Sequence, residues 1–216
     1  MSLSFERYWH AFLDTLMMVG VSSSIAFLAG IPLAILLIVT APNGFLASPR
    51  INKVVGAVVN SFRATPFIVL LVALIPFTRF VSGTTIGVWA AIVPLAISAT
   101  PFFARIAEVS LREIDPGLIE AAQAMGCKKL DIILHVLLPE AWPGIIGGFT
   151  ITLVALISSS AMAGAVGAGG LGDLAIRYGY QRFDTEVMMI VIVVLVALVS
   201  VVQLLGDFYV RRLQSR

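Results

Sequence analysis

Five long apolar runs divide the sequence, and they restrict its fold more than any other feature does. They are residues 15–40, 54–77, 85–104, 142–168 and 187–206. An α-helix needs about 20 residues to cross the roughly 30 Å hydrocarbon core of a bilayer. Each run is long enough, and with 59% hydrophobic and only 12% charged residues the chain cannot be an ordinary soluble domain. We therefore predict an all-α integral membrane protein, with five transmembrane helices in one domain over residues 1–216.

The longest polar interruption, residues 105–141, lies between the third and fourth runs. Asp115 is a favourable N-cap, and Pro116 suits the first helical position, where no amide hydrogen is needed. Gly126 is a favourable stop signal. Together these residues predict a short helix over residues 116–125.

A second helical piece should follow the short helix. Residues 128–138 are apolar nearly all round, and Pro139 lacks the amide hydrogen that a helix interior requires. We expect this piece to return toward the membrane and to end at Pro139.

The predicted short helix has the properties of a docking surface. Its apolar residues share one face: Leu118, Ile119, Ala122 and Met125. Ala121 and Ala122 are small enough for a partner's backbone to come close, and Glu120 offers a charge for that partner to pair with. The alternative is an amphipathic loop helix that lies on the lipid headgroups.

The spacing of these residues resembles a known motif. Glu120-Ala121-Ala122 is followed after three residues by Gly126, and after nine more by Val136, Leu138 and Pro139. This pattern resembles the Glu-Ala-Ala loop of permease subunits of binding-protein-dependent ABC importers, with Val136 where that family usually has Ile. The resemblance places the loop in the cytoplasm and implies that it couples to an ATPase. The implied coupling residues are Leu118, Glu120, Ala121, Ala122, Met125 and Gly126.

Other segments are similar to permeases that import methionine: residues 160–180, Arg63-x-x-Pro66-Phe67-Ile68, and residues 75–79. This similarity covers essentially the whole chain. It implies the type I ABC importer permease fold over about residues 13–206, in a bacterial inner membrane. The implied substrate is methionine, with another small solute such as a polar amino acid as the alternative. The implied partners are a second copy of the permease, two cytoplasmic ATP-binding subunits and an extracytoplasmic substrate-binding protein.

Several chemistries have no signature in the sequence. No Gly-x-x-x-x-Gly-Lys-Ser/Thr run occurs, and the polar stretches are too short for a nucleotide-hydrolysing domain. We expect no catalytic residue and no cofactor on this chain, because ATP would bind to a partner subunit. The single cysteine, Cys127, allows no internal disulfide, and the isolated His10 and His135 predict no metal site. Lys and Arg are spread over the loops, which does not indicate a nucleic-acid-binding protein.

A glycine-rich segment, residues 164–172, ends the fourth run. Gly167, Gly169 and Gly172 match the Gly-x-Gly-x-x-Gly fingerprint of dinucleotide-binding proteins, but that fingerprint needs a preceding strand. We instead expect a sharp re-entrant turn and close helix packing at the outer mouth of the protein. The mixed-charge stretch after it is a candidate docking face for a soluble partner.

The distribution of Lys and Arg predicts the orientation in the membrane. Of the 14 Lys and Arg residues, ten flank the side that carries residues 105–141 and four flank the other side. Because cytoplasmic loops carry the excess of Lys and Arg, that loop and the C-terminus should be cytoplasmic and the N-terminus outside. The first apolar run is longer than the core of a secretory signal, so we expect it to be retained as a span.

The fourth run is the candidate lining of a translocation pathway. Residues 142–168 contain no charge but include Ser158, Ser159 and Ser160, followed by Met162. A polar triplet next to a flexible thioether suits a wettable pathway with an apolar gate, where the two Met162 side chains of a two-fold dimer could meet. Alternatively, Met162 fills a gap in the core and the serines bond back to their own turn.

Prolines are predicted to bend two of the spans. Pro66 should kink the second, close to Arg63, whose charge should lie toward the cytoplasmic end or face protein. Pro94 and Pro101 should kink the third, which suits a helix that lines a moving pathway. Prolines that are simply tolerated are the equally compatible alternative.

Two other classes of membrane protein fit the residues less well. An ion-coupled secondary transporter normally keeps a carboxylate or histidine inside the membrane, and the third, fourth and fifth runs contain none. Five spans also cannot be divided into two equal inverted halves. A non-transporting membrane anchor would not require prolines and glycines at matching depths. The residues therefore favour a permease.

Overall fold

The structure is a computed structural model that describes residues 4–42 and 44–214, and within these ranges all regular structure is helical. This confirms the all-α prediction. The helices are α1 (Phe5–Val39), α2 (Pro49–Ala64), α3 (Phe67–Ala73), α4 (Ile75–Ser82), α5 (Val88–Arg112), α6 (Pro116–Ala124), α7 (Lys129–Ile132), α8 (Leu138–Gly164), α9 (Gly170–Leu174) and α10 (Thr185–Gln214). Two π-helical turns join them, Ile133–Leu137 before α8 and Ala175–Tyr180 after α9.

In the part of the chain that the structure describes, four helical stretches are long and apolar enough to cross a membrane, namely α1, α5, Lys129–Gly164 and α10. A fifth, α2 with α3, qualifies as a bent pair. The helix ends differ from those of the predicted runs, because a helix ends where its backbone hydrogen bonds end and not where its hydropathy falls. In particular α5 continues past residue 104 to Arg112, so the first residues of the predicted loop belong to a helix.

The second predicted span bends at Pro66, as the sequence predicted, but the bend is a break between two helices and not a kink within one helix. Helices α2 and α3 meet at 104°. Thr65 has an extended backbone at the break, as expected of a residue before proline, and Pro66 then precedes the first residue of α3. A further break at Leu74 begins α4, in which Pro76 occupies the first turn. Gly83, with the left-handed φ of 74°, ends α4.

The predicted helix end at Pro139 is wrong. Helical structure continues from Lys129 through the π-helical turn and α8 to Gly164. Pro139 lies in the first turn of α8, and just before it the amide of Leu138 bonds to the carbonyl of Ile133, five residues back. The wider π turn accommodates the proline within a continuous helical stretch.

The core is built around α5, which packs against α1 and α8. The rings of Phe27, Phe103 and Phe149 lie with centroids 5.0–5.5 Å apart where these three helices meet. Gly30 makes room for them, since a Cβ there would lie 2.6 Å from the Phe103 ring. Helix α10 buries few of its residues, so most of its apolar surface is left for lipid or for another chain.

Candidate functional site

The short helix predicted after the third span is present as α6, and its two ends form as the sequence predicted. The carboxylate of Asp115 accepts a hydrogen bond from the amide of Gly117 at 2.8 Å, and Pro116 is the first helical residue. At the other end Gly126 is left-handed, with φ of 78°. The amides of Gly126 and Cys127 bond back to the helix carbonyls of residues 123 and 122, which is a Schellman motif. Helix α6 is therefore capped at both ends by its own flanking residues.

The apolar face predicted for α6 is divided between two environments. Ala122 is only 3% exposed and, with the half-buried Ile119, packs against a core cluster that includes Ile114 and Leu137. The close approach expected of a partner at Ala122 is thus made by the protein's own core. Leu118, Ala121 and Met125 point outward, and Met125 is 77% exposed. Their spacing of three and four residues forms an exposed apolar stripe beside Glu120, which is also exposed.

A buried carboxylate lies on α5 just before α6. Glu108 is 1% exposed, and its two oxygens accept hydrogen bonds from Arg105 at 2.6 Å and Arg112 at 2.5 Å. Burial of a carboxylate is unfavourable unless it is paired, and these three residues satisfy that need within one helix. The sequence showed the charges at helical spacing, but not that the middle one is buried.

The serine triplet of α8 does not act as one polar surface. Ser160 is buried and its hydroxyl donates to the carbonyl of Ile157 at 2.7 Å. Ser158 is exposed and donates to the carbonyl of Val154 at 3.3 Å. Ser159 is partly exposed between them. For Ser158 and Ser160, the structure thus has the bonds to their own turn that the alternative interpretation expected.

Ser158 and Met162 lie one turn apart on the wall of an open groove of about 840 Å³. Met162 is 52% exposed, so it does not fill a gap in the core of this chain. The groove is formed by α3, α8, α9 and α10. Its lining is largely apolar and includes Ile68 and Val196, while Ser200 adds a hydroxyl. This is the face of the protein on which a pathway could form against a second copy.

The predicted kinks lie in different settings. Pro66 stands at the 104° bend between α2 and α3, next to the exposed Arg63. Pro94 and Pro101 are both buried in α5, which is helical across each of them. A role for Pro94 and Pro101 in a moving pathway stays a prediction.

The glycine-rich segment makes the sharp turn that the sequence predicted. Gly167, Gly169 and Gly170 all have positive φ, and the chain then folds back as α9. Helices α8 and α9 touch at glycines, because a Cβ on Gly172 would lie 2.3 Å from the carbonyl oxygen of Ala161. The turn places α9 beside the Met162 end of α8.

Thr15 of α1 forms a hydrogen bond with the first turn of α9. Its hydroxyl oxygen accepts a hydrogen bond from the amide of Leu171 at 2.9 Å and donates one to the carbonyl of Ala11 at 3.0 Å. Leu171 is in the first turn of α9, where amides have no partner within the helix. Nothing in the sequence pattern identified Thr15, because its contact is 156 positions away.

The mixed-charge stretch after the glycine-rich segment makes two groups of polar contacts near the start of α1. Arg7 donates to the hydroxyl of Tyr178 at 2.9 Å, and the guanidinium of Arg182 stacks 4.6 Å from the centre of the same ring. Asp173 accepts from Arg177 at 2.7 Å. Arg7, near the N-terminus, therefore contacts the segment that precedes α10.

Comparison with known families gives one match over most of the chain. The family described as binding-protein-dependent transport system inner membrane component matches residues 26–216. A relative from Vibrio cholerae, named probable D-methionine transport system permease protein MetI, is 52% identical over 203 residues, which are 94% of this chain and 90% of the relative. The methionine import system permease protein MetP of Bacillus subtilis is 42% identical over 221 residues, covering 98% of this chain and all of the relative.

A solved structure also matches closely. A chain of the MetNI methionine ABC transporter, described in inward-facing conformations, superimposes with a TM-score of 0.95 at 48% identity. The match covers 98% of this chain and 99% of that chain. The fold described above is therefore similar to that of an ABC transporter chain over nearly its whole length.

Proposed function

The chain belongs to the family of inner membrane components of binding-protein-dependent transport systems, and from this premise we propose that it is the permease subunit of a methionine importer. In this proposal a separate subunit binds and hydrolyses ATP, and this chain forms the pathway through the membrane. The named functions of the relatives from Vibrio cholerae and Bacillus subtilis support methionine as the substrate.

The two-sided helix α6 is the observation that carries the proposal. A helix that buries Ile119 and Ala122 in the permease core moves with that core. The same helix exposes Leu118, Ala121 and Met125 to solvent, where apolar side chains are unfavourable unless a partner covers them. We infer that an ATP-binding subunit covers this stripe, so that its movement on binding ATP is passed through Ala122 to α5 and α8.

The groove beside Met162 supports a substrate without a charged side chain. None of the residues that line it carries a charge, and Ser158 and Ser200 are its two hydroxyl groups. A lysine, arginine or glutamate substrate would find no counter-ion on this wall. A polar-amino-acid importer is therefore the less favoured alternative.

Glu108 requires a revised argument against an ion-coupled carrier, because α5 contains a buried carboxylate that the shorter predicted span had left out. Both of its oxygens are occupied by arginine side chains of the same helix. A carboxylate held in this way already has its charge balanced by two guanidinium groups, so it does not need a coupling ion to be buried. The importer therefore remains the function that the residues support best.

We further propose that the permease works as a homodimer with two ATP-binding subunits inside and a substrate-binding protein outside. The open groove and the largely unburied α10 leave surface for the second copy. The surface of Arg7, Arg177, Tyr178 and Arg182 would face outward, with the N-terminus, and α6 and the C-terminus would face the cytoplasm. That polar outer surface would receive the binding protein.

Reconstituted uptake tests the proposed function. The permease would be placed in liposomes with the ATP-binding subunit and the binding protein of its own source, and uptake of labelled methionine measured with and without ATP. We expect uptake only when ATP and both partners are present. Uptake driven by an ion gradient without the ATPase would contradict the importer, and a preference for lysine, arginine or glutamate would contradict methionine.

A further inference from the structure

Thr78 of α4 carries an unpaired hydroxyl inside the protein. Among the described residues, its Oγ1 is the buried side-chain oxygen or nitrogen for which no hydrogen-bond partner is found. The residue is only 4% exposed. Its backbone is satisfied, since the amide bonds to the carbonyl of Leu74 and the carbonyl accepts from the hydroxyl of Ser82. A buried hydroxyl without a partner is destabilising, so this group needs an explanation.

Pro94 removes the usual hydrogen-bond donor of a second polar group, the carbonyl of Ala90 on the facing helix α5. In a regular helix the carbonyl of Ala90 accepts a hydrogen bond from the amide four residues later. That residue is Pro94, which has no amide hydrogen, so the carbonyl of Ala90 lacks its usual donor. The carbonyl of Ala90 on α5 therefore lacks its helical donor, and the hydroxyl of Thr78 on α4 lacks an acceptor.

Both residues line one small cavity. Thr78, Ala90 and Pro94 all line a cavity of about 20 Å³ between α3, α4, α5 and the turn after α8. One water molecule needs roughly 10–15 Å³ of such space and two or more polar partners. The cavity is large enough for one water molecule and too small for a metabolite.

We propose that this cavity is a binding site for a single ordered water molecule, which accepts a hydrogen bond from Thr78 and donates one to the carbonyl of Ala90. The water then replaces the helix hydrogen bond that Pro94 removes. It also links α4, the outer piece of the broken second span, to α5. The same end of α5 is already tied to the glycine-rich turn, because the amide of Gly87 donates to the carbonyl of Gly167 at 2.9 Å.

The direction in which the melting temperature changes when the Thr78 hydroxyl is removed shows whether that hydroxyl is bridged by water or unpaired. Thr78→Val removes the hydroxyl at nearly constant volume, and the melting temperature would be followed on the full chain purified with its bound subunits. If water bridges Thr78 to α5, the variant loses a hydrogen bond and the melting temperature should fall by about 2–4 °C, while Thr78→Ser should stay near wild type. If the hydroxyl has no partner, its removal should leave the melting temperature unchanged or raise it, which would overturn the proposal.

Two controls isolate the water from other effects. Thr100→Val is the first control. The hydroxyl of Thr100 on α5 bonds to the carbonyl of Ala96 in its own turn, at 2.7 Å. The change in melting temperature of this variant therefore measures the loss of a hydroxyl that makes no bridge between helices. Pro94→Ala restores an amide for Ala90, so Thr78→Val should cost less in that background than alone. Equal costs in the two backgrounds would contradict the link between Thr78 and Ala90.

Direct observation decides the matter if Thr78→Val does not fold. A structure of the wild-type complex that resolves ordered water should show a peak within hydrogen-bond distance of Thr78 Oγ1 and the Ala90 oxygen. A cavity that is clearly dry at that resolution would exclude the site.

Discussion

Thr15 and Leu171, 156 positions apart, are joined by a buried hydrogen bond of 2.9 Å from the Leu171 amide to the Thr15 hydroxyl. The Leu171 amide belongs to the first turn of α9 and has no helical partner. A side chain of α1 therefore caps α9, the helix that follows the glycine-rich turn. The adjacent Gly170 permits this contact, because a Cβ there would lie 2.7 Å from the same hydroxyl oxygen.

Replacement of Thr15 by Val should destabilise the protein. The variant keeps the shape of the side chain but leaves the buried Leu171 amide unpaired, which costs about 1–3 kcal/mol. Thr15→Ser keeps the acceptor and should lose much less. Ser24→Ala is a control on the same helix, since Ser24 is exposed and bonds only to its own turn. Thermal unfolding of the purified protein measures these differences, and equal melting temperatures for Thr15→Val and wild type would show that the cap contributes nothing.

Gly172→Ala should separate α8 from α9. A Cβ at Gly172 would lie 2.3 Å from the backbone oxygen of Ala161, and backbone cannot move aside as a flexible side chain can. Overpacking of this kind typically costs about 1–3 kcal/mol. Gly147→Ala in α8 is the matched control, because its Cβ would meet only Val210 at 3.8 Å. Unfolding should therefore occur at a lower temperature in Gly172→Ala than in Gly147→Ala.

Local signals allowed much of α6 and of the glycine-rich turn to be predicted. Asp115, Pro116 and Gly126 act on their own neighbours, so the capped helix could be read from sequence. The burial of Ala122 and Glu108 could not, because it depends on which core faces the helix, and periodicity does not specify that. The same limit explains Thr15 and Thr78, whose partners lie on distant segments. Pro139 was misread because a π turn can accommodate a proline that would end a regular helix.

Because Ala121 is exposed and Ala122 is buried, a bulky substitution should have a different effect at each of these two neighbours on α6. Ala121→Trp adds volume on the exposed stripe, so the permease should fold normally and lose its ATP-binding subunit during purification. Ala122→Trp adds the same volume within the core, where overpacking should lower the melting temperature of the permease itself. Co-purification and thermal unfolding of both variants separate the two effects. Full retention of the ATP-binding subunit by Ala121→Trp would remove the stripe from the docking surface.

Glu108→Gln should reveal whether the arginine pair fixes the end of α5 next to α6. Hydrogen bonds to a charged group contribute about 1.5–3 kcal/mol, and an amide can satisfy only part of that demand. We expect a lower melting temperature and less transport per ATP hydrolysed. Glu113→Gln makes the same change on an exposed residue at the end of the same helix and should behave as wild type. An unchanged ratio of transport to hydrolysis in Glu108→Gln would limit Glu108 to a structural role.

Met162 is the residue at which a gate between two copies can be tested most directly. At about 1.5 Å per residue from Ile145, Ser158 lies ~20 Å and Met162 ~26 Å along α8, which places Met162 near the side of a ~30 Å core that is farther from α6. Its exposed side chain stands on the groove wall, so in a two-fold dimer two such side chains could meet on the axis.

Crosslinking would measure that distance in each nucleotide state. Cys127 is exposed and must first be changed to Ser, after which Met162→Cys carries the single thiol of the chain. We expect a crosslink between copies without nucleotide and its loss when ATP closes the ATP-binding subunits, because the gate should open at that step. Ala163→Cys, one residue along and buried within its own chain, should not crosslink in either state. If Met162→Cys fails to crosslink in every nucleotide state, Met162 lies off the axis, and the groove wall around Val196 and Ser200 becomes the next place to look for the gate.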